Sequence, residues 1–255
     1  MASPLRSSNP ALNRNIFLDS ASGTVVNAGD GAMTINGTIN KTAFLLVLAM
    51  VGAMWSWSRF DAEGPSALLP YLVGGSLGGL VFALITAFKR EWAAFTAPAY
   101  ALLEGLALGA ISAVFAAKYQ GIVIEAVGLT FGTLAAMLAA YRSGLIRATE
   151  KFKLGVVAAT GGIAVFYVIG MLMNAFGHPI QAMYTGTPLG IALSLVVVVV
   201  AALNLVLDFD MIEQGVAVRA PKYMEWYGAF GLMVTLVWLY MEFLRLLAKI
   251  SSSRN

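Results

Sequence analysis

Four acidic residues, Glu104, Asp208, Asp210 and Glu242, stand inside or at the ends of strongly apolar stretches of this chain. The stretches are long enough to cross a bilayer, where an ionised side chain costs roughly 2.5–3.5 kcal/mol on insertion scales. A carboxylate at that depth is protonated, paired with a base, or in contact with water. Each of those states is a means of handling ions or protons, so these acids are the first candidates for function.

The neighbours of each acid leave two readings open. Asp208 and Asp210, in LNLVLDFDMIEQG, close the sixth apolar stretch; two positions apart on a helix, they point roughly 200° apart and cannot line one face. Either both are ordinary acids at the end of a span, solvated or paired with Arg219 or Lys222, or Asp208 extends inward the polar face that Asn204 begins one turn earlier. Glu242, in VTLVWLYMEFLRLLAKI, has apolar residues on both sides, with Arg245 three positions later on the same face. The two neutralise each other, or Glu242 faces another helix or an aqueous cavity. Glu104, in YALLEGLALG, has no base within a turn; it is a hydrogen-bond donor between helices or part of a hydrophilic cavity. Glu125 begins the fourth stretch near a membrane surface, where an exposed acid is ordinary.

Composition fixes the setting. Of the 255 residues 59% are hydrophobic and 11% charged, against about 25% charged in soluble domains, and the mean hydropathy is +0.80. The lipid bilayer is therefore the first expected partner. A net charge of +3 is too small to argue for nucleic acid. The chain has no cysteine and a single histidine, so it offers no disulfide framework, thiolate nucleophile or histidine-rich metal site. HExxH does not occur, and the one string with GxSxG spacing, GGSLG at 74–78, stands in an apolar run with no strand before it, so it is no nucleophile elbow. An intramembrane aspartyl protease has only the pair Asp208 and Glu242 in its favour. We expect no enzymatic activity and no cofactor.

From Thr42 onwards, seven apolar segments follow at about 42–58, 68–88, 93–117, 121–141, 154–176, 187–209 and 227–249. A helix needs about 20 residues to cross a hydrocarbon core of about 30 Å. Runs such as SLVVVVVAALNLVL lack the alternation of barrel strands and must satisfy their backbone internally, as helices. The fold class expected is thus an all-α membrane bundle over residues 42–250. Residues 1–41, rich in Ser, Asn, Gly and Thr, read as a flexible polar tail with a turn at Asn36-Gly37, and 251–255 as a short C-terminal tail. Lys89 and Arg90, then Arg142, Arg147, Lys151 and Lys153, then Arg219 and Lys222 mark alternate connections. The positive-inside rule therefore puts the amino terminus in the cytoplasm, although Arg245, Lys249 and Arg254 at the far end oppose it. Runs of small residues at 74–79, 105–110 and 155–162 predict close helix packing.

Four motifs, RSSNPAL, IVIEAVGLTFGT, LVLDFDMI (Asp208 with Ile212 four residues on) and LYMEFLRLL, in that order on seven spans, resemble the Bax inhibitor (transmembrane Bax inhibitor motif) family, in particular its bacterial members. The resemblance covers essentially the whole chain. It implies a seven-helix bundle with the last helix central, in the inner membrane of a cell. It also implies a pH-sensitive calcium leak gated by a hydrogen-bonded acid pair between spans six and seven, here Asp208 and Glu242, which would also meet the calcium. A base from the end of the second span is implied to engage that pair; Lys89 and Arg90 are the nearest, and Arg245 competes by helical spacing. Glu242 stands where the family has Asp, and Glu104 has no counterpart in the motifs, which makes it an additional pathway acid. The rival reading is a non-conducting regulator that binds another membrane protein, such as a protease.

Geometry opposes the pair. With a tight hairpin at Pro221, Asp208 lies 13 residues before the turn and Glu242 21 after it, an offset of about 12 Å in depth at 1.5 Å per residue. Pairing requires the seventh span to start late, near Gly228 to Gly231, with 214–227 as a longer connection.

Overall fold

The computed structural model describes residues 31–178, 180 and 185–254. Among these, seven long helices account for the architecture: α1 (Ile35–Glu63), α2 (Leu68–Phe88), α3 (Ala93–Lys118), α4 (Ile122–Arg142), α5 (Glu150–Ala175), α6 (Pro188–Ala217) and α7 (Met224–Arg254). Single 3-10 turns, Pro65–Ala67 and Arg90–Trp92, lead into α2 and α3. All seven helices are long and apolar enough to cross a membrane. Even the shortest, of 21 residues, reaches about 32 Å at 1.5 Å per residue. Large apolar side chains such as Val47, Leu77, Phe131, Val168 and Val196 are exposed on the outside of the bundle, as an acyl-chain solvent requires and water does not tolerate.

Helix starts follow from local chemistry. Thr34, Thr149 and Thr187 each accept, through the side chain, a backbone N–H three residues ahead, from Gly37, Phe152 and Gly190, which satisfies one of the orphan donors of the first turn. The Thr34 cap corrects the expected limit at 42. Residues 35–41 are helical, Asn36-Gly37 lies in the first turn of α1 rather than in a loop, and the first span, at 29 residues, is not the shortest. The first thirty residues of the expected tail, and Asn255, lie outside the described residues. The connection between α3 and α4 is only three residues long and turns at Gly121 (φ 81°), a left-handed conformation natural to glycine.

The last helix packs against α1, α3, α4 and α6, while α2 lies on α3, and α5 on α6. Leu232, Leu236, Leu239 and Leu244 of α7 share a buried cluster with Leu205 of α6 and Ala126 of α4. Ala229 and Met233 join Leu45 of α1 and Ala97 and Tyr100 of α3. The contact of α1 with α3 is backbone on backbone: a Cβ on Gly105 would stand 2.3 Å from the Ala49 carbonyl oxygen, and one on Gly109 2.2 Å from that of Ala53. Gly75 meets the Leu103 carbonyl oxygen of α3 in the same way, at 2.6 Å. The third small-residue run does not do this. Gly155, Gly161 and Gly162 have nothing within 4 Å, so the expectation of close packing there is corrected. Gly105→Val is therefore expected to destabilise by about 1–3 kcal/mol, the usual cost of overpacking, and to lower the thermal midpoint in detergent. Gly161→Ala is expected to leave that midpoint unchanged or slightly raised.

Candidate functional site

Glu242 is 1% exposed, deep in the bundle. The Tyr167 hydroxyl on α5 is placed to donate to both of its oxygens (3.0 and 3.1 Å), and the Arg245 guanidinium donates to Oε1 at 2.8 Å. Arg245 also lies over the Tyr167 ring, 5.2 Å from the centroid. The intrahelical Glu–Arg pair foreseen from spacing is present, and a phenol from a second helix completes it. Of the three candidate bases, Arg245 is the one in contact with an expected acid. Arg90 instead lies over the Tyr227 ring at 5.5 Å, and Lys89 ends α2 on the exposed surface.

Asp208 occupies a different level. Its Oδ2 is sealed from solvent and has no hydrogen-bond partner among the described residues. The carboxyl faces α7 at Gly231, where a Cβ would stand 3.7 Å from Oδ1, and at Thr235, whose hydroxyl donates to the Gly231 carbonyl at 3.3 Å. Thr235 precedes Glu242 by two turns, about 10 Å along the axis. Asp208 and Glu242 are not hydrogen-bonded to each other in this structure, where the resemblance implied a bonded acid pair. The cause is the α6–α7 connection. Helix α7 starts at Met224, not late, and residues 218–223 are pinned by the Met33 N–H to the Ala220 carbonyl (2.7 Å) and the Lys222 N–H to the Gly31 carbonyl (2.9 Å). Buried Leu205, Leu236 and Leu239 fill the interval between the two acid levels.

The remaining acids are dispersed. Asp210 pairs with Lys153 of α5 at 2.6 Å and accepts from Gln214, rather than with Arg219 or Lys222 as the sequence allowed. Glu104 lies in the α2–α3 interface, where a Cβ on Gly79 would come within 2.7 Å of its Oε2. The structure therefore does not bring Glu104 a polar partner from another span among the described residues. Glu125 and His178 are exposed. Among the described residues, no three acidic or histidine side chains converge as a metal site requires.

Two features escaped the sequence reading. Glu225, at the start of α7, is 0% exposed. It accepts the Thr34 N–H (2.9 Å) and the Thr34 hydroxyl (2.8 Å) and forms an ion pair with Lys41. A carboxylate from the last helix thus caps the N-terminus of the first, where the helix dipole favours negative charge. Gly37 makes room for it, since a Cβ there would come within 2.1 Å of Oε1. The second feature is a stripe on α5. Lys153, Thr160, Tyr167 and Asn174 recur every seven residues, two turns apart and so on one face. They meet Asp210, Asn204 (2.8 Å), Glu242 and a cavity in turn. The seven-residue period was visible in the sequence; the 184-residue separation of Lys41 from Glu225 gave no local signal.

Seven helices long and apolar enough to cross a membrane define a multi-pass membrane protein. The chain belongs to the Bax inhibitor 1-like family, whose family model matches residues 9–252. No curated protein and no solved structure matches it.

Lys41→Met is expected to lower stability by about 3 kcal/mol, because it strands a buried carboxylate. Arg245→Met is expected to cost less, about 1–2 kcal/mol, because the guanidinium is 42% exposed and water already screens its pair. Unfolding in mixed micelles measures both; a Lys41→Met variant as stable as the parent would show that the latch contributes nothing.

Proposed function

We propose that the protein is a proton-gated cation leak of the Bax inhibitor type, that calcium is its cargo, and that protonation of Asp208 holds it closed. The observation that carries this reading is the Asp208 Oδ2, buried against α7 without a hydrogen-bond partner among the described residues. A carboxyl in that position fits dry packing only while neutral; once ionised it must recruit water or a cation. The leucine layer of Leu205, Leu236 and Leu239 is then the constriction that wets when the core opens, as apolar gates do. Beyond it Glu242 offers a second acid level, released when Arg245 swings aside. Ligands that are all oxygen suit calcium. The basic connections between α2 and α3, α4 and α5, and α6 and α7 support, by the positive-inside rule, an amino terminus in the cytoplasm.

The sign of the pH response follows. The neutral form of Asp208 favours the closed state, so closure is complete at low pH and is lost as pH rises through the ionisation of Asp208. In liposomes reconstituted with the pure protein, calcium flux is expected to increase with pH. Asp208→Asn is expected to flatten that response and to hold flux at least about tenfold lower at the alkaline end, a shift of about 1.4 kcal/mol in the closed–open equilibrium. Glu242→Gln is expected to keep the pH response. Loss of the response in both variants would restore a single shared pair. Absence of flux from the parent at every pH would leave the non-conducting regulator.

A further inference from the structure

At the end of the bundle that carries the carboxy terminus, α3, α5, α6 and α7 enclose a cavity of about 770 Å³. Its lining includes three cationic side chains, Lys118, Arg245 and Lys249, together with Tyr167, Asn174 and Ser194. Among the described residues no acidic side chain lines it. The sequence explains why. From Lys151 to Leu207, which covers nearly all of α5, the next connection and most of α6, there is no Asp or Glu. Glu242 lies behind the Arg245–Tyr167 stack, pairs with Arg245 and also acts on Lys249, so one negative charge stands against three positive ones. Lys249, 7% exposed, donates to the Gly190 carbonyl (3.0 Å) and the Ser194 hydroxyl (2.9 Å). Lys118 stands at the rim, 5.3 Å from the Tyr119 ring centroid.

We propose that this cavity binds a phosphate-type oxyanion. Cations gathered in a partly dry recess set up a positive potential that a cation leak does not need, and which an anion relieves. The donor set is also of the right kind. A guanidinium fork matches tetrahedral oxyanions bidentately, ammonium groups add point charge, and the hydroxyl and amide groups supply neutral hydrogen bonds. The source of the phosphate is either the headgroup of an anionic phospholipid or free inorganic phosphate, and the volume admits both. This inference is independent of the leak, because it concerns the resting charge of one end of the bundle.

Full-length protein in detergent separates the sources in two arms. One arm follows the thermal midpoint in inorganic phosphate against chloride at matched ionic strength. The other measures retention of phosphatidylglycerol against phosphatidylcholine by native mass spectrometry. Stabilisation by phosphate assigns the free ion; selective retention of phosphatidylglycerol without it assigns the lipid; either supports the site. In the arm that responds, Lys118→Gln and Arg245→Gln are each expected to weaken binding about tenfold, the loss of one charge-assisted contact. Lys118 lies at an exposed helix end, so its variant tests the site even if Arg245→Gln fails to fold. Arg59→Gln, at the same end but paired with Glu63 on α1, is expected to leave binding unchanged. The proposal is overturned if neither probe is preferred over its control, if Lys118→Gln binds as the parent does, or if Arg59→Gln weakens binding equally.

Discussion

Inside a bilayer no water is available to solvate a charge, so every ionised group in the seven spans must be met by another part of the chain. That constraint organises this bundle. Glu225 with Lys41 and Thr34 joins the start of α7 to the start of α1. Asp210 with Lys153 joins α6 to α5, and Glu242 with Tyr167 joins α7 to α5. Each is a connection that apolar packing alone would not specify, because leucine against leucine is little different from leucine against lipid. Helix α5 illustrates the point. Its backbone packs on α6, Gly155, Gly161 and Gly162 face open space, and a stripe of polar residues at two-turn intervals fixes its rotation and depth.

Against this background Glu104, which has no polar partner from another span among the described residues, and Asp208 are the exceptions, and Asp208 is the sharper. Its Oδ2 is as sealed as the paired acids, yet has no hydrogen-bond partner among the described residues. An unmet polar group in a core costs stability, and such costs concentrate where a protein must change state. The short, strapped α6–α7 connection is what keeps Asp208 from Glu242. Arg219 in that connection adopts a left-handed conformation (φ 52°), and backbone hydrogen bonds with Met33 and Gly31 hold Ala220 and Lys222 just after it. Two acids held at separate depths with leucines between them do not form one joined pair.

Much of this was legible in the sequence. Span number follows from apolar length, as does the start of α6 near Thr187, whereas α5 begins at Glu150, four residues before the apolar limit at 154. The depth offset between Asp208 and Glu242 could be computed from Pro221 alone, and in this structure the two acids stand apart as that offset implied. What could not be read is which polar group meets which. Lys153 rather than Arg219 or Lys222 meets Asp210 because α5 is set against α6, a tertiary fact. Apart from Ile35 and Ile39 the first seven residues of α1 are polar or glycine, so hydropathy places its start too late; they are helical because Thr34 caps them and because their polar side, at Thr34 and Lys41, faces Glu225.

The absence of cysteine makes the central claim, that Asp208 and Glu242 lie at separate levels of the closed bundle, directly measurable. Disulfide formation requires Cα atoms within about 7 Å. In proteoliposomes held at low pH, Asp208→Cys combined with Thr235→Cys is expected to cross-link readily under mild oxidation. Asp208→Cys combined with Glu242→Cys is expected to remain reduced. Efficient cross-linking of the second pair, at the expense of the first, would contradict the account and restore a joined acid pair.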